Sequence, residues 1–178
     1  SFSRADGARV HRYLPVGITD DVRHYVRDSV LKGEVNDLLV RIKGDLNDIP
    51  FADPRSGEFR FAGKVRNLDY AYVPPGLQPQ GQAPWPMLTS LTGELVFDRA
   101  SMRVIGASGR MADAGGLQLS RIEAQIPDFI NTTTVVVSAD VRGPAPSLLT
   151  VVNKSPISQM TGDALSHASV NGEATGRF

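Results

Sequence analysis

The sequence predicts a mainly β fold of antiparallel strands with two short helices, and three observations predict it. Six segments between residues 35 and 142 alternate apolar and polar residues with a period of two. The 17 glycines and 12 prolines are dispersed between those segments, where turns belong, rather than gathered into a low-complexity tail. Only two stretches carry apolar residues at helical spacing.

The first dozen residues show no clear period. Thr19-Asp20-Asp21 then reads as a helix start, with a capping hydroxyl and two acids that complement the helix dipole. Val22, Tyr25, Val26 and Val30 follow at helical spacing and Gly33 offers a left-handed stop, so a helix is expected over about residues 20–32. From about residue 35 the period becomes two. Leu38, Val40 and Ile42 oppose Arg41 and Lys43 in the first strand. Asp53 to Gly57 is a turn, and Phe59, Phe61, Gly63 and Val65 oppose Arg60, Lys64 and Arg66 in the second. After Asn67 the phase slips to Leu68, Tyr70 and Tyr72, the signature of a bulge or bend.

Residues 74–86 hold five prolines and form a loop outside the sheet, the segment expected to be most mobile. Alternation resumes with Leu91, Gly93, Leu95 and Phe97, and turns at Asp98 to Ser101 into Met102, Val104 and Gly106. Leu117 to Ile126 is a fifth strand with a slip near Ser120, and Val135, Val137, Ala139 and Val141 mark the sixth. Gly143-Pro144 ends it. Leu148, Leu149 and Val152 fit a second helix over about residues 146–154 that stops before Pro156. A final strand is expected over about residues 168–178, and its pattern still runs at Phe178, so the native protein is expected to continue. Helix-then-strands occurs twice, which suggests a repeat of long period without residue-level self-similarity.

Composition bounds the function. At 178 residues a single domain can bury roughly 70% of its unfolded surface. The 19 basic and 19 acidic residues form no block, so the electrostatic footprint of a nucleic-acid binder is missing. The absence of cysteine removes thiolate nucleophiles, zinc knuckles and disulfides. The chain opens Ser1-Phe2-Ser3-Arg4 without an initiator Met, and no apolar run approaches the ~18 residues of a membrane helix, so it reads as an excised piece.

Chemistry-bearing patterns are scarce. His11, His24 and His167 have no metal-site spacing. Gly106-Ala107-Ser108-Gly109 is not a nucleophile elbow, and reads as a turn. Asp45, Asp48 and Asp53 do not match a calcium loop and are expected to cap turns. Asn131-Thr132-Thr133 is formally a glycosylation sequon but fits a Thr-rich strand entry. No catalytic, metal or cofactor site is expected. What stands out is that nearly every strand is apolar on one side only. Such a face is covered by a second sheet, by helices or by something other than protein, and pattern alone leaves a closed sandwich and an open groove equally placed.

The order of several short motifs resembles the YhdP-type branch of the bacterial AsmA-like family. They are Arg12-Tyr13-Leu14-Pro15, Leu31 to Val35, Lys43-Gly44, Ile49-Pro50-Phe51, Gly57-Glu58-Phe59, Leu68 to Tyr72, Trp85-Pro86 with Leu91, Ile126 to Phe129, Ala139 to Pro144 and Gly172 to Arg177. The resemblance spans residues 12–178 and favours the open groove, a curved antiparallel sheet with an apolar trough. It implies an internal periplasmic section of a large protein anchored by one inner-membrane helix. The trough would adjoin neighbouring repeats of the same parent chain and hold phospholipid acyl chains moving between inner and outer membranes, in support of outer-membrane homeostasis. The residues expected to line it are Leu38, Val40, Ile42, Phe59, Phe61, Val65, Leu91, Leu95, Phe97, Val135 and Val137. A periplasmic scaffold that pairs through an exposed sheet edge is the alternative, and an enzyme ranks last.

Overall fold

The structure, a computed structural model, describes residues 2–13, 19–51, 53–78, 80–132 and 134–178. Eight strands form one antiparallel sheet in chain order: β1 (Phe2–Asp6), β2 (Val30–Gly44), β3 (Gly57–Tyr70), β4 (Leu88–Asp98), β5 (Ser101–Met111), β6 (Gln118–Ile126), β7 (Val136–Pro144) and β8 (Glu173–Arg177). Every connection is local, so each strand lies beside its predecessor. Strands β1 and β8 do not pair with each other, and the sheet is open. Helix α1 (Asp20–Ser29) precedes β2, while α2 (Ala145–Asn153) and the single-turn α3 (Ile157–Met160) separate β7 from β8.

The sheet bends through bulges. Five consecutive strands each hold a residue in the left-handed region at a register shift: Asp37 in β2, Asn67 in β3, Ser90 in β4, Gly106 in β5 and Arg121 in β6. A bulge adds one residue to its strand, sharpens the twist and bends the strand. Repeated on neighbouring strands, it curls the whole layer.

The packed core shows that curl. Leu91, Ala107, Leu119, Ile122 and Ala139 are buried together, and the residues packed around them, Leu68, Tyr70, Leu88, Val104, Met111 and Val141, also belong to the sheet. Sheet side chains therefore bury one another across adjacent strands. Small residues make room: a Cβ on Gly93 would lie 2.5 Å from that of Ala107, and one on Gly109 would lie 2.7 Å from Leu91 Cδ2.

The helices occupy one end of the strands. Ala71 donates its N–H to Ser29 at 2.9 Å, and Ser147 Oγ donates to the Gly115 carbonyl at 2.8 Å, joining α1 and α2 to connections at that end. Ser29, Ala71, Pro74, Ala114, Leu117 and Ser155 are buried there. The proline-rich loop lies outside the sheet, as expected. It is clipped by Gln78, which donates to the Val73 carbonyl at 2.5 Å and accepts from Trp85 N–H at 2.8 Å.

Several boundaries differ from expectation. Helix α1 ends at Ser29 because Val30 already pairs with Tyr70 across the sheet. Gly33 is thus a strand residue, placed where a Cβ would meet Leu68 Cα at 3.0 Å. Thr19 occupies the cap position, but its hydroxyl makes no capping bond; its carbonyl accepts from Arg23 N–H instead. β8 is confined to Glu173–Arg177, since turns occupy residues 161–167 and residues 168–172 do not join the ladder, although Phe178 extends it by exchanging backbone bonds with Ala139. β1 and the 3-10 helix at Gly7–Tyr13 had no sequence signal.

A candidate apolar face and its comparisons

Paired residues in an antiparallel ladder share a face, so the register assigns side chains to one side of the sheet or the other. The apolar side contains four rows that run across the strands. The first is Val40–Phe61–Phe97–Met102–Ile126. The second is Leu38, which faces Gly63, then Leu95–Val104–Ala124–Val137. Val35–Val65–Gly93 continues through Ala107 to Ile122 and Ala139 as the third, and Leu68–Leu91 continues through Gly109 to Leu119, Val141 and Gly176 as the fourth.

Ten of the eleven residues expected to line a trough share this face. Leu38, Leu95 and Val137 lie in the second row and Val40, Phe61 and Phe97 in the first. Val65 belongs to the third row and Leu91 to the fourth. Ile42 pairs with Phe59 one step beyond the first row. Val135 lies just before β7, 49% exposed, outside the strand register. Val35, Leu68, Met102, Val104, Ala107, Leu119, Ile122, Ala124, Ile126, Ala139 and Val141 also belong to the face and were not in the expected set. The slip at Gly106 hid how β5 continues, since the face passes from Val104 to Ala107 rather than through Gly106.

Exposure divides the rows. In the third and fourth, Leu91, Ala107, Leu119, Ile122 and Ala139 are only 2–9% exposed, while Val35, Val65, Leu68 and Val141 are half-buried. On the other side, Val40, Ile42 and Val137 are 44, 46 and 46% exposed, and Phe61, Leu95, Phe97, Met102, Val104, Ala124 and Ile126 are half-buried. Aromatic rings bound that open part. Phe61 and Phe97 make an edge contact at 6.0 Å, and Phe129 meets Phe97 at 6.3 Å. Phe51 is fully buried against Gly44 and Gly57, where a Cβ on either glycine would collide with its ring.

The opposite face is charged. Arg60 pairs with Asp98 at 2.7 Å, Lys64 with Asp37 at 2.8 Å, and Arg121 with Asp140. The Lys64 hydrogen bond holds the Asp37 carboxyl below the usual carboxylate range. Apolar residues interrupt it: Val96, 2% exposed, pairs with Ala62 and Arg103, and Leu39, Ile105 and Val136 are exposed on the same side.

Titratable chemistry is structural. The Tyr25 hydroxyl donates to the Tyr72 carbonyl at 3.0 Å and lies 2.8 Å from the Tyr70 hydroxyl, which leaves Tyr70 as the donor between the two rings. Burial and this bond push the Tyr70 phenol far up, and burial alone pushes Tyr72 up to about 12. Asp45 accepts from Asn47 N–H at 2.9 Å and Asp53 accepts from Arg55 N–H at 2.9 Å, the turn-capping use expected of them. Asn131 donates to Asp128 at 2.6 Å, and Thr133 of the sequon lies outside the described residues.

The first two rows offer only hydrocarbon surface, which attracts an apolar ligand by area, at about 25 cal/mol per Å², without directional contacts. Among the described residues no helix is long and apolar enough to cross a membrane. Over residues 1–178, the chain matches a family model described as YhdP protein. No match was found among curated proteins or among solved structures.

Proposed function

This chain belongs to the YhdP family, and from that premise we propose that it is a non-enzymatic section of an apolar conduit for phospholipid acyl chains. Membership suggests a lipid-transport-related envelope protein. The finer reading is ours: a periplasmic segment of an inner-membrane-anchored parent that carries phospholipid between the two membranes and so supports the outer-membrane barrier.

One observation carries this reading. A single open sheet presents a continuous apolar face across β2 to β7, and part of that face stays exposed. Unpartnered apolar area of this kind marks a binding surface. Acyl chains suit it, because each buried CH₂ gains roughly 0.8 kcal/mol and asks for no hydrogen-bond partner. Headgroup selectivity is expected to be weak for the same reason.

Photo-crosslinking from Val40, Phe61 and Phe97 in the intact parent protein, in cells, tests the proposal. Lipid adducts are expected there and not at the outward positions Arg41 and Lys64. Equal behaviour of the two sets would remove the conduit reading for this segment.

Among the described residues the outer edges of β1 and β8 pair with no strand, which favours a second role as a scaffold, with strand addition to neighbouring parts of the parent chain or to a partner. A pull-down that yields one stoichiometric protein and no lipid would favour it over the conduit.

A further inference from the structure

We infer that Asp69 and Glu123 are positioning residues: from the charged side of the sheet each carboxylate binds the spare N–H of a bulge on the neighbouring strand, and so keeps the apolar face continuous. The inference concerns how that face is held together and stands whether or not the face carries lipid.

The need for such residues lies in the register. A regular strand changes the side it presents at every residue, so it cannot place residues three apart on one face. Yet Leu88 and Leu91 of β4 share the apolar face, and so do Val104 and Ala107 of β5. Between each pair stands a left-handed residue, Ser90 or Gly106, that absorbs the odd step. Without the bulge at Gly106 the rest of β5 would turn over, and Ser108 and Arg110 would enter the apolar face in place of Ala107 and Gly109. A bulge sacrifices backbone pairing, because its extra residue has no place in the ladder.

Both spare donors are met in the same way. Leu68 pairs with Leu91 and Tyr70 with Leu88, so Asp69 stands opposite both Thr89 and Ser90. Its carboxylate accepts from Ser90 N–H at 3.1 Å. Val104 pairs with Ala124 and Ala107 with Ile122, so Glu123 stands opposite both Ile105 and Gly106, and it accepts from Gly106 N–H at 2.8 Å. In each case the single residue facing the bulge supplies from its side chain the acceptor that the backbone lacks, and its charge strengthens the bond. On the other flank a glycine gives the bulged strand room, Gly109 opposite Ser90 and Leu91, and Gly93 opposite Gly106 and Ala107. Two further bulges carry ion pairs to the neighbouring strand, Asp37 with Lys64 and Arg121 with Asp140. Four of the five bulges are thus fastened by side chains on the charged face.

The test is hydrogen–deuterium exchange of the purified full-length parent protein, read residue by residue by mass spectrometry. In Glu123→Ala the Gly106 amide is expected to exchange about tenfold faster or more, and in Asp69→Ala the Ser90 amide likewise, as loss of a charge-assisted bond requires. The ladder amides of β5 and β6 on both sides of Gly106 are expected to speed up with it, because the register is no longer fixed there. Glu123→Gln and Asp69→Asn keep an acceptor oxygen and are expected to restore slow exchange. Gln125→Ala, on the same side of β6 as Glu123, is expected to change nothing at Gly106. Unchanged exchange at Gly106 and Ser90 in the alanine variants would overturn the inference. So would faster exchange confined to those two amides, which would make the carboxylates local caps without influence on the face. Should an alanine variant fail to fold, the Gln and Asn variants decide: slow exchange at Gly106 and Ser90 upholds the inference, and rapid exchange at either overturns it. None of these outcomes involves lipid, so the conduit reading stands or fails separately.

Discussion

Truncating Leu119 and truncating Val137 should have very different consequences for stability, although both are apolar residues on the same face. Leu119 is 3% exposed and lies among Ala107, Ile122 and Ala139. These neighbours are short or held by the ladder, so the space vacated in Leu119→Ala cannot be refilled. The cost belongs in the middle of the usual Leu→Ala range, about 3–4 kcal/mol. Val137 is 46% exposed. Val137→Ala removes two methyl groups, each worth about 0.8 kcal/mol when fully buried, and about half of that is realised, giving roughly 0.8 kcal/mol. In a domain of this size each kcal/mol shifts Tm by about 2–4 °C, so thermal unfolding should show a drop of ~10 °C for Leu119→Ala and ~2 °C for Val137→Ala. Urea midpoints at constant m give the same comparison isothermally. Equal losses would refute the division of the face into a packed half and an open half, because they would place Val137 in the core.

Three further outcomes follow from named contacts. Tyr25→Phe removes the hydroxyl bonded to both Tyr70 and the Tyr72 carbonyl, and should cost about 1–2 kcal/mol in equilibrium denaturation, with α1 losing its side-chain bonds to Tyr70 and Tyr72. Tyr70 and Tyr72 have raised pKa values when folded, so the stability they confer is complete below the unfolded phenol value of ~10 and lost as pH rises, for Tyr72 through about 12; ultraviolet titration should show Tyr72 ionising near 12 and Tyr70 resisting until unfolding, and both titrating near 10 would contradict the burial described. Gly93→Ala sets a methyl 2.5 Å from the Ala107 Cβ and 2.7 Å from its Cα, and should destabilise by about 1–3 kcal/mol in urea unfolding, whereas a neutral result would mean the two strands separate freely there.

Much of the fold was legible because a half-buried sheet writes itself as alternation. The six segments from Leu38 to Arg142 correspond to β2 through β7, and the slip after Asn67 marks a true bulge. The bulge at Gly106 was harder to read, since a glycine fits either face and the alternation Met102, Val104, Gly106 continues on paper while the backbone changes phase. β1 was invisible: a five-residue edge strand draws its stability from pairing with β2 rather than from a pattern of its own. The subdivision of the apolar face was equally hidden. Leu91 and Leu95 carry the same signal in the sequence, and only the curvature of the sheet decides that one is core and the other is open.

That curvature links stability to binding. A flat single layer would leave both of its faces wet, whereas a domain of this size buries roughly 70% of the surface its unfolded chain exposes. Here the bulges curl the layer until the third and fourth rows meet across neighbouring strands, and glycine or alanine at positions 93, 107, 109 and 139 permits that approach. Further curling would bring the first two rows together as well and close the open part of the face. It is opposed by larger side chains there, Phe61, Leu95, Phe97, Met102 and Val104, with Phe51 and Phe129 packed at the margin. Core and trough therefore lie on a single face, so the residues that stabilise the fold also border the exposed surface beside them.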